Sequence, residues 1–389
     1  MKLRGVRHAA VLTPTGVTEE GVVLWDEKGR ILQIVPGHPA TAAGNADLLD
    51  GQGLLLAPGF IDLQLNGGFG HDFTAAPDTI WRVAARLPQY GVTSFLPTII
   101  TAPAEVYRQA QATLAAPPAG WRGARPLGLH LEGPFLNPAK KGAHNSDHLR
   151  QPDPALVAGW SPETGVRLVT LAPELPGAAA VIQVLTDRGV VVSAGHSLAT
   201  AAEARVGFAA GVRYGTHLFN AMPPLHHREP GLAGALLAAD RPIVGLIPDG
   251  VHVHPDLVRL AWRALGGERL NLVTDAMAAL GMADGRYQLG DFAVQVAAGV
   301  ARLPDGTLAG SLLALDTAVR NLMAYTGCSL PEALPSVTSV PARLLGLLPD
   351  LGQISPGARA DLVLLDADGR VKAAIVAGEL LYDGRPDNS

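Results

Sequence analysis

Several features that would place a chain in a class at once are scarce here. One cysteine, Cys328, among 389 residues excludes an internal disulfide framework and points to a reducing compartment. Aromatic residues make up only 5%, so any core must be built from Ala, Val and Leu. No Lys/Arg run reaches five, and 30 basic against 35 acidic side chains give a net charge of −5, which leaves no general nucleic-acid footprint. No uninterrupted apolar stretch approaches the ~18 residues of a membrane span. The first residues, Met1-Lys2-Leu3-Arg4-Gly5, have no signal-peptide core. The expectation is a cytoplasmic protein with no nucleic-acid or membrane partner.

What is present is material for a core. Apolar residues are 48% of the chain, while 45 Gly and 31 Pro stay below the roughly 25–30% that marks disorder. Short strand-like runs open the sequence at Val6–Leu12, Gly21–Asp26 and Gly29–Val35, and similar runs, Leu362–Leu365 and Val371–Val376, close it. Between them, eight apolar runs alternate with Ala-rich helical stretches. The runs are Phe60–Leu65, Thr93–Pro97, Leu127–Glu132, Arg167–Ala172, Val190–His196, Tyr214–Leu218, Ile243–Pro248 and Leu270–Thr274. Helices are expected at Thr79–Tyr90, Ala104–Ala115, Ala178–Arg188, Thr200–Ala210 and Pro255–Leu265. Eight strand–helix units read as an α/β fold, a (β/α)8 TIM-like barrel over 54–348. A small β-sandwich domain built from both termini (1–53 and 349–389) would flank it.

In such a barrel the active site forms at the C-terminal ends of the strands. Strand three ends in His130-Leu131-Glu132, strand five in Gly195-His196, strand six in Thr216-His217 and strand eight in Thr274-Asp275. Two imidazoles and a carboxylate leave open positions on a metal such as Zn2+, as a hydrolytic site requires. Asp275 would be the free carboxylate beside them, suited to act as general base and then general acid. Singly, each has a bland reading: Glu132 and Asp275 as caps, His196 and His217 as hydrogen-bonded structural histidines. The joint placement is what carries the site.

The runs Pro58-Gly59-Phe60-Ile61-Asp62, Leu131-Glu132-Gly133-Pro134-Phe135, Ala194-Gly195-His196-Ser197, His217-Leu218-Phe219-Asn220-Ala221-Met222 and Thr274-Asp275-Ala276-Met277 resemble those of N-acetylglucosamine-6-phosphate deacetylases, of the amidohydrolase superfamily. The resemblance covers nearly the whole chain. It implies Glu132, His196 and His217 as ligands of one divalent ion (Zn2+ first, with Fe2+, Co2+ or Mn2+ open) and Asp275 as the catalytic acid/base. His144 would be catalytic and substrate-binding, near the reacting amide. Asn220 and Ala221 would contact the sugar phosphate, Arg228 and His252 would bind the phosphate, and Leu308, Ala309 and Gly310 would line the sugar pocket. In the family the arginine reaches in from a neighbouring subunit, so a homodimer is implied.

One departure matters. Many amidohydrolases carry His-x-His on strand one, binding a second metal, whereas this strand has Gln64 and Asn66 at those positions. Amides are weak ligands, so Gln64 is counted with the substrate-binding residues. No strand-end Lys of the carboxylated, bridging kind is found either, which lowers a cyclic-amide hydrolase reading. The expected activity is removal of the acetyl group from N-acetylglucosamine 6-phosphate. Deacetylation of another amino sugar or N-acyl compound, or a non-catalytic scaffold, stays open.

Overall fold

A computed structural model describes residues 3–37 and 47–385. Met1 and Lys2 of the amino-terminal run, residues 38–46 within the expected 1–53 unit, and residues 386–389 lie outside the described residues.

Eight parallel strands form the central barrel. Strand one is Phe60–Leu65, two Val92–Ile100, three Leu129–Glu132, four Val166–Leu171, five Val191–Ala194, six Val212–Gly215, seven Ile243–Leu246 and eight Leu270–Leu272. They pair in sequence order from one to eight. The ring closes where Leu65 bridges Ala276, with Asp275 N–H donating to the Gln64 carbonyl (2.9 Å) and Asn66 N–H to that of Ala276 (2.8 Å). Every residue of strands one and two is buried. Both are covered on each face, so their runs are mostly apolar, and the polar residues within them, Asp62, Gln64, Thr93, Ser94 and Thr98, are buried as well.

The outer helices follow local signals. Thr200 caps the helix Ala201–Ala210 by accepting from Glu203 N–H while the Glu203 side chain accepts from Thr200 N–H. The single helix expected over Thr79–Tyr90 is instead three short pieces, Pro77–Thr79, Ile80–Ala84 and Leu87–Tyr90. Pro88 has no N–H to continue the ladder, and Gly91 at φ +76° turns the chain into strand two.

Both chain ends supply one eight-stranded sheet. Arg4–Thr13, Gly16–Trp25, Ile31–Pro36, Asp47–Asp50 and Leu55–Pro58 come from one end, and Leu362–Leu365, Val371–Val376 and Glu379–Asp383 from the other. Leu55–Pro58 joins the halves, antiparallel to Leu362–Leu365 and parallel to Ala10 and Val11. Val11, Trp25, Leu56, Leu364 and Ile375 pack beneath it. A three-stranded antiparallel sheet, Gly285–Leu289, Phe292–Ala297 and Val300–Arg302, follows strand eight with its own small core of Met277, Leu289, Val294 and Leu303. Among the described residues, no helix is long and apolar enough to cross a membrane.

Candidate metal centre and active site

Glu132 is the last residue of strand three, and His196 and His217 each follow the end of their strands by two residues. Past the strand ends the backbone enters the left-handed region at His196 (φ +48°), His217 (φ +28°) and Asp275 (φ +48°). Such conformations cost about 1–3 kcal/mol each and persist only where the surroundings impose them. The backbone just before His196 is tightly packed: a Cβ on Gly195 would lie 2.7 Å from Thr216 Cβ and 3.0 Å from Thr170 Cγ2.

Three donor atoms converge in consequence. Glu132 Oε1 lies 3.1 Å from His196 Nε2 and 3.0 Å from His217 Nε2, and the two nitrogens are 3.0 Å apart. All three side chains are buried. His196 Nδ1–H donates to the Lys140 carbonyl (2.8 Å), which leaves Nε2 as a lone pair aimed at the cluster. The separations approach the ~3.3 Å edge of a tetrahedron with 2.0–2.1 Å bonds to Zn2+. The donor set therefore fits a divalent cation. Burial opposes ionisation of Glu132, but the adjoining imidazoles of His196 and His217 outweigh it and hold the carboxyl well below its ordinary value. Burial likewise opposes the charged form of His217, yet Glu132 draws its pKa upward.

Asp275 stands beside this cluster. Its Oδ1 accepts from Asn66 Nδ2 at 2.7 Å and from Gln64 Nε2 at 3.1 Å, and the same Gln64 nitrogen reaches Glu132 Oε1 at 3.0 Å. The two amides thus serve as donors to carboxylates, and their own oxygens have no hydrogen-bond partner among the described residues. Burial first, then repulsion from Glu132, pushes Asp275 up to about 6. Asp62 lies buried behind it and accepts from Thr274 Oγ1 at 2.6 Å, tying strand one to the residue before Asp275. Burial lifts Asp62 to about 7.

His144 faces the cluster from the loop after strand three, 3.8 Å from Glu132 Oε2 through Nε2. Its Nδ1 accepts from Thr101 N–H at 3.2 Å, so the ring proton sits on Nε2. Burial, reinforced by His196, drives its pKa to about 3. His144 is a neutral hydrogen-bond donor at neutral pH.

These groups open into a cavity of about 370 Å³. Glu132, His144, His196, His217, Asn220, Ala221, His252, Leu308, Gly310 and Asp275 all line it. Gln64 lies fully buried behind Glu132 and Asp275, and Ala309 is buried outside the wall. Arg228 is exposed and does not line the cavity of its own chain, although Asn220 and Ala221 earlier in the same loop do. Thr101, Lys140 and Asp249 hold site residues in place and were missed by sequence reasoning. Thr101 escaped because strand two was expected to stop at Pro97. It continues to Ile100, since Pro97 sits against Leu65 beside an irregularity in the register, where no ladder N–H is needed. Leu289, from the three-stranded insert, also lines the cavity. The neighbouring strand Phe292–Ala297 alternates in burial, but Ala293 and Ala297 on its exposed face are apolar, so no polar–apolar alternation announced it.

The chain belongs to the amidohydrolase family, whose model matches residues 55–381. The human N-acetylglucosamine-6-phosphate deacetylase is 43% identical over 374 residues, covering 92% of this chain and 91% of that one. The Bacillus subtilis enzyme of the same name is 36% identical, covering 97% and 96%. Among solved structures, the Thermotoga maritima deacetylase superposes with a TM-score of 0.87 at 34% identity, covering 97% of this chain and 99% of that one. A mutant of the Mycobacterium smegmatis deacetylase, in complex with N-acetyl-D-glucosamine-6-phosphate, gives 0.89 at 38%, covering 98% and 99%. Within the amidohydrolases, the chain's family is therefore that of the N-acetylglucosamine-6-phosphate deacetylases.

Proposed function

We propose that this chain removes the acetyl group from N-acetylglucosamine 6-phosphate, giving glucosamine 6-phosphate and acetate. The observation that carries the reading is the meeting of Glu132, His196 and His217 at one point, with Asp275 beside them at the barrel mouth. Two imidazole nitrogens and one carboxylate would hold a single divalent ion, for which Zn2+ suits the donor types best. When bound, that ion supplies Lewis acidity and makes water a better nucleophile at neutral pH.

The remaining chemistry belongs to the chain. Asp275 offers Oδ2, because Oδ1 is occupied by Asn66 and Gln64. It takes a proton from the attacking water and then delivers it to the leaving amine. His144 donates from Nε2 to the oxygen on which charge develops, without itself adding charge. Asn66 and Gln64 stand where a second cation would sit in dinuclear relatives, and their amide protons steady the carboxylates instead. That arrangement supports a one-metal site.

The polar wall of Asn220, Ala221 and His252 would receive the sugar phosphate. Arg228, exposed on its own chain, would complete the phosphate site from a second copy, so the working form is a homodimer. The catalytic unit is 54–348, with 1–53 and 349–389 as its supporting sheet, and the compartment is the cytoplasm. The deciding assay is acetate release from N-acetylglucosamine 6-phosphate against the unphosphorylated sugar. Strong preference for the phosphorylated substrate is expected. Equal turnover of both would transfer the reading to another amino sugar, and a purified protein that takes up no divalent ion would reduce it to a scaffold.

A further inference from the structure

After strand seven the chain runs Ile247-Pro248-Asp249-Gly250-Val251-His252. Asp249 engages both of its carboxylate oxygens in this turn. Oδ1 accepts the backbone N–H groups of Val251 (2.8 Å) and His252 (2.7 Å), which closes the loop. Oδ2 accepts His252 Nδ1–H at 2.6 Å. The turn is anchored from outside, where Asn321 Nδ2 donates to the Pro248 carbonyl at 2.8 Å. Both side chains are largely enclosed, His252 at 7% and Asp249 at 15% exposure. His252 lines the cavity, and its Nε2 makes no hydrogen bond among the described residues.

This pairing decides what the cavity meets. A neutral ring whose Nδ1–H is held by a carboxylate has a lone pair on Nε2, which repels a phosphate oxygen. Only the doubly protonated ring presents N–H there, the form a bound phosphate oxygen would select, with the Asp249 carboxylate 2.6 Å from its other nitrogen. The second carboxylate whose charge reaches His252 is Asp275, deeper in the same cavity. Asp249 is therefore placed to fix the direction of the imidazole and to stand as its counter-charge.

We infer that Asp249 is a positioning residue for anion recognition: it holds His252 by Nδ1, aims Nε2 into the cavity and stands as the counter-charge to the imidazolium that meets a bound phosphate monoester. The inference rests on the assignment of His252 to the phosphate end of the substrate. Specificity for the phosphorylated sugar then depends on a residue that never touches it.

Asp249→Asn isolates the effect. The amide oxygen still accepts the two turn N–H groups, while its nitrogen donates to Nδ1 and leaves a neutral ring with Nε2–H. The hydrogen bond to phosphate survives and its charge does not. Loss of charge assistance should raise KM for N-acetylglucosamine 6-phosphate roughly tenfold, leave kcat little moved, and weaken competitive inhibition by inorganic phosphate by the same factor. The fall in kcat/KM should be far larger for the phosphorylated than for the unphosphorylated sugar. Asp249→Ser, which keeps a turn acceptor but cannot reach Nδ1, should show the same selectivity with a larger rise in KM. In a His252→Gln background, Asp249→Asn should add nothing to that loss. Equal losses on both sugars, or a kcat effect without a KM effect, would overturn the role of Asp249. A wild-type enzyme indifferent to the phosphate would instead remove the assignment of His252 on which the inference depends.

Discussion

Replacing Asp275 by Asn should move stability and turnover in opposite directions. The carboxyl is largely enclosed at the cavity wall, and its pKa is raised from 3.8 to about 6 by burial and by Glu132. That shift corresponds to roughly 3 kcal/mol of unfavourable charge carried by the folded metal-free protein once the group is ionised. The sign follows from the linkage: the folded state binds this proton more tightly than the unfolded chain does. The penalty is therefore complete above about pH 6, shrinks as pH falls, and vanishes below the unfolded value near 4. An asparagine escapes it, and its oxygen still accepts from Asn66 and Gln64 as Asp275 Oδ1 does. For a chain of this size, 3 kcal/mol amounts to a rise of about 3–4 °C in melting temperature. Scanning calorimetry on metal-free wild type and variant at pH 8 and pH 4 should show that gain at the higher pH only. Bound metal neutralises part of the repulsion, so the loaded pair should differ less. Acetate release should meanwhile fall by about 10²–10⁴, the usual contribution of a general acid/base. A variant no more stable at pH 8 than at pH 4, relative to wild type, would refute the charge argument. Retained turnover would refute the proton role.

Other consequences follow from the same geometry. The acid limb of kcat/KM should fall at or below about pH 6, because Asp275 must be ionised to act as base and a bound cation lowers its pKa further; a pH–rate profile locates it. His144→Gln should cost about 10²–10³ in kcat, as for loss of one oxyanion donor, with metal content by elemental analysis unchanged. Chelation should abolish activity, and Glu132→Gln should prevent its recovery on adding Zn2+, both read by activity and bound-metal stoichiometry. Gly195→Ala should destabilise the fold and weaken metal binding together. Its Cβ would press on Thr216, the residue before His217, at 2.7 Å, which thermal melting and a metal titration would detect.

The barrel and its principal side chains were legible because each is announced over a short range. Buried parallel strands read as short, mostly apolar runs, and residues that end those runs must lie at one mouth, so Glu132, His196, His217 and Asp275 could be grouped without coordinates. The helix expected over Thr200–Ala210 was found at Ala201–Ala210, with Thr200 as its cap. What was not legible depends on distant partners. Thr101 matters through a backbone N–H offered to His144, Lys140 through a carbonyl accepting from His196, and Asp249 through a turn that closes on itself. None of these is a property of the residue type. Pro88 and Pro97 misled in opposite ways: one broke an expected helix, while the other, read as a stop, lay within a strand. The insert after strand eight went unseen because its three strands are short and mostly half-exposed.

The sheet shared by both chain ends bears on how the protein is made. Leu55–Pro58 needs Leu362–Leu365 as its neighbour, and that neighbour is synthesised roughly 300 residues later, some 15–60 s at ribosomal speeds. Throughout that interval Leu55–Pro58 presents an unpaired edge, the kind of surface that pairs with other chains. Early strands of the barrel therefore emerge while the sheet against which they rest is still half built. Sequestration of that edge during elongation is therefore a requirement that the split sheet places on folding in the cell.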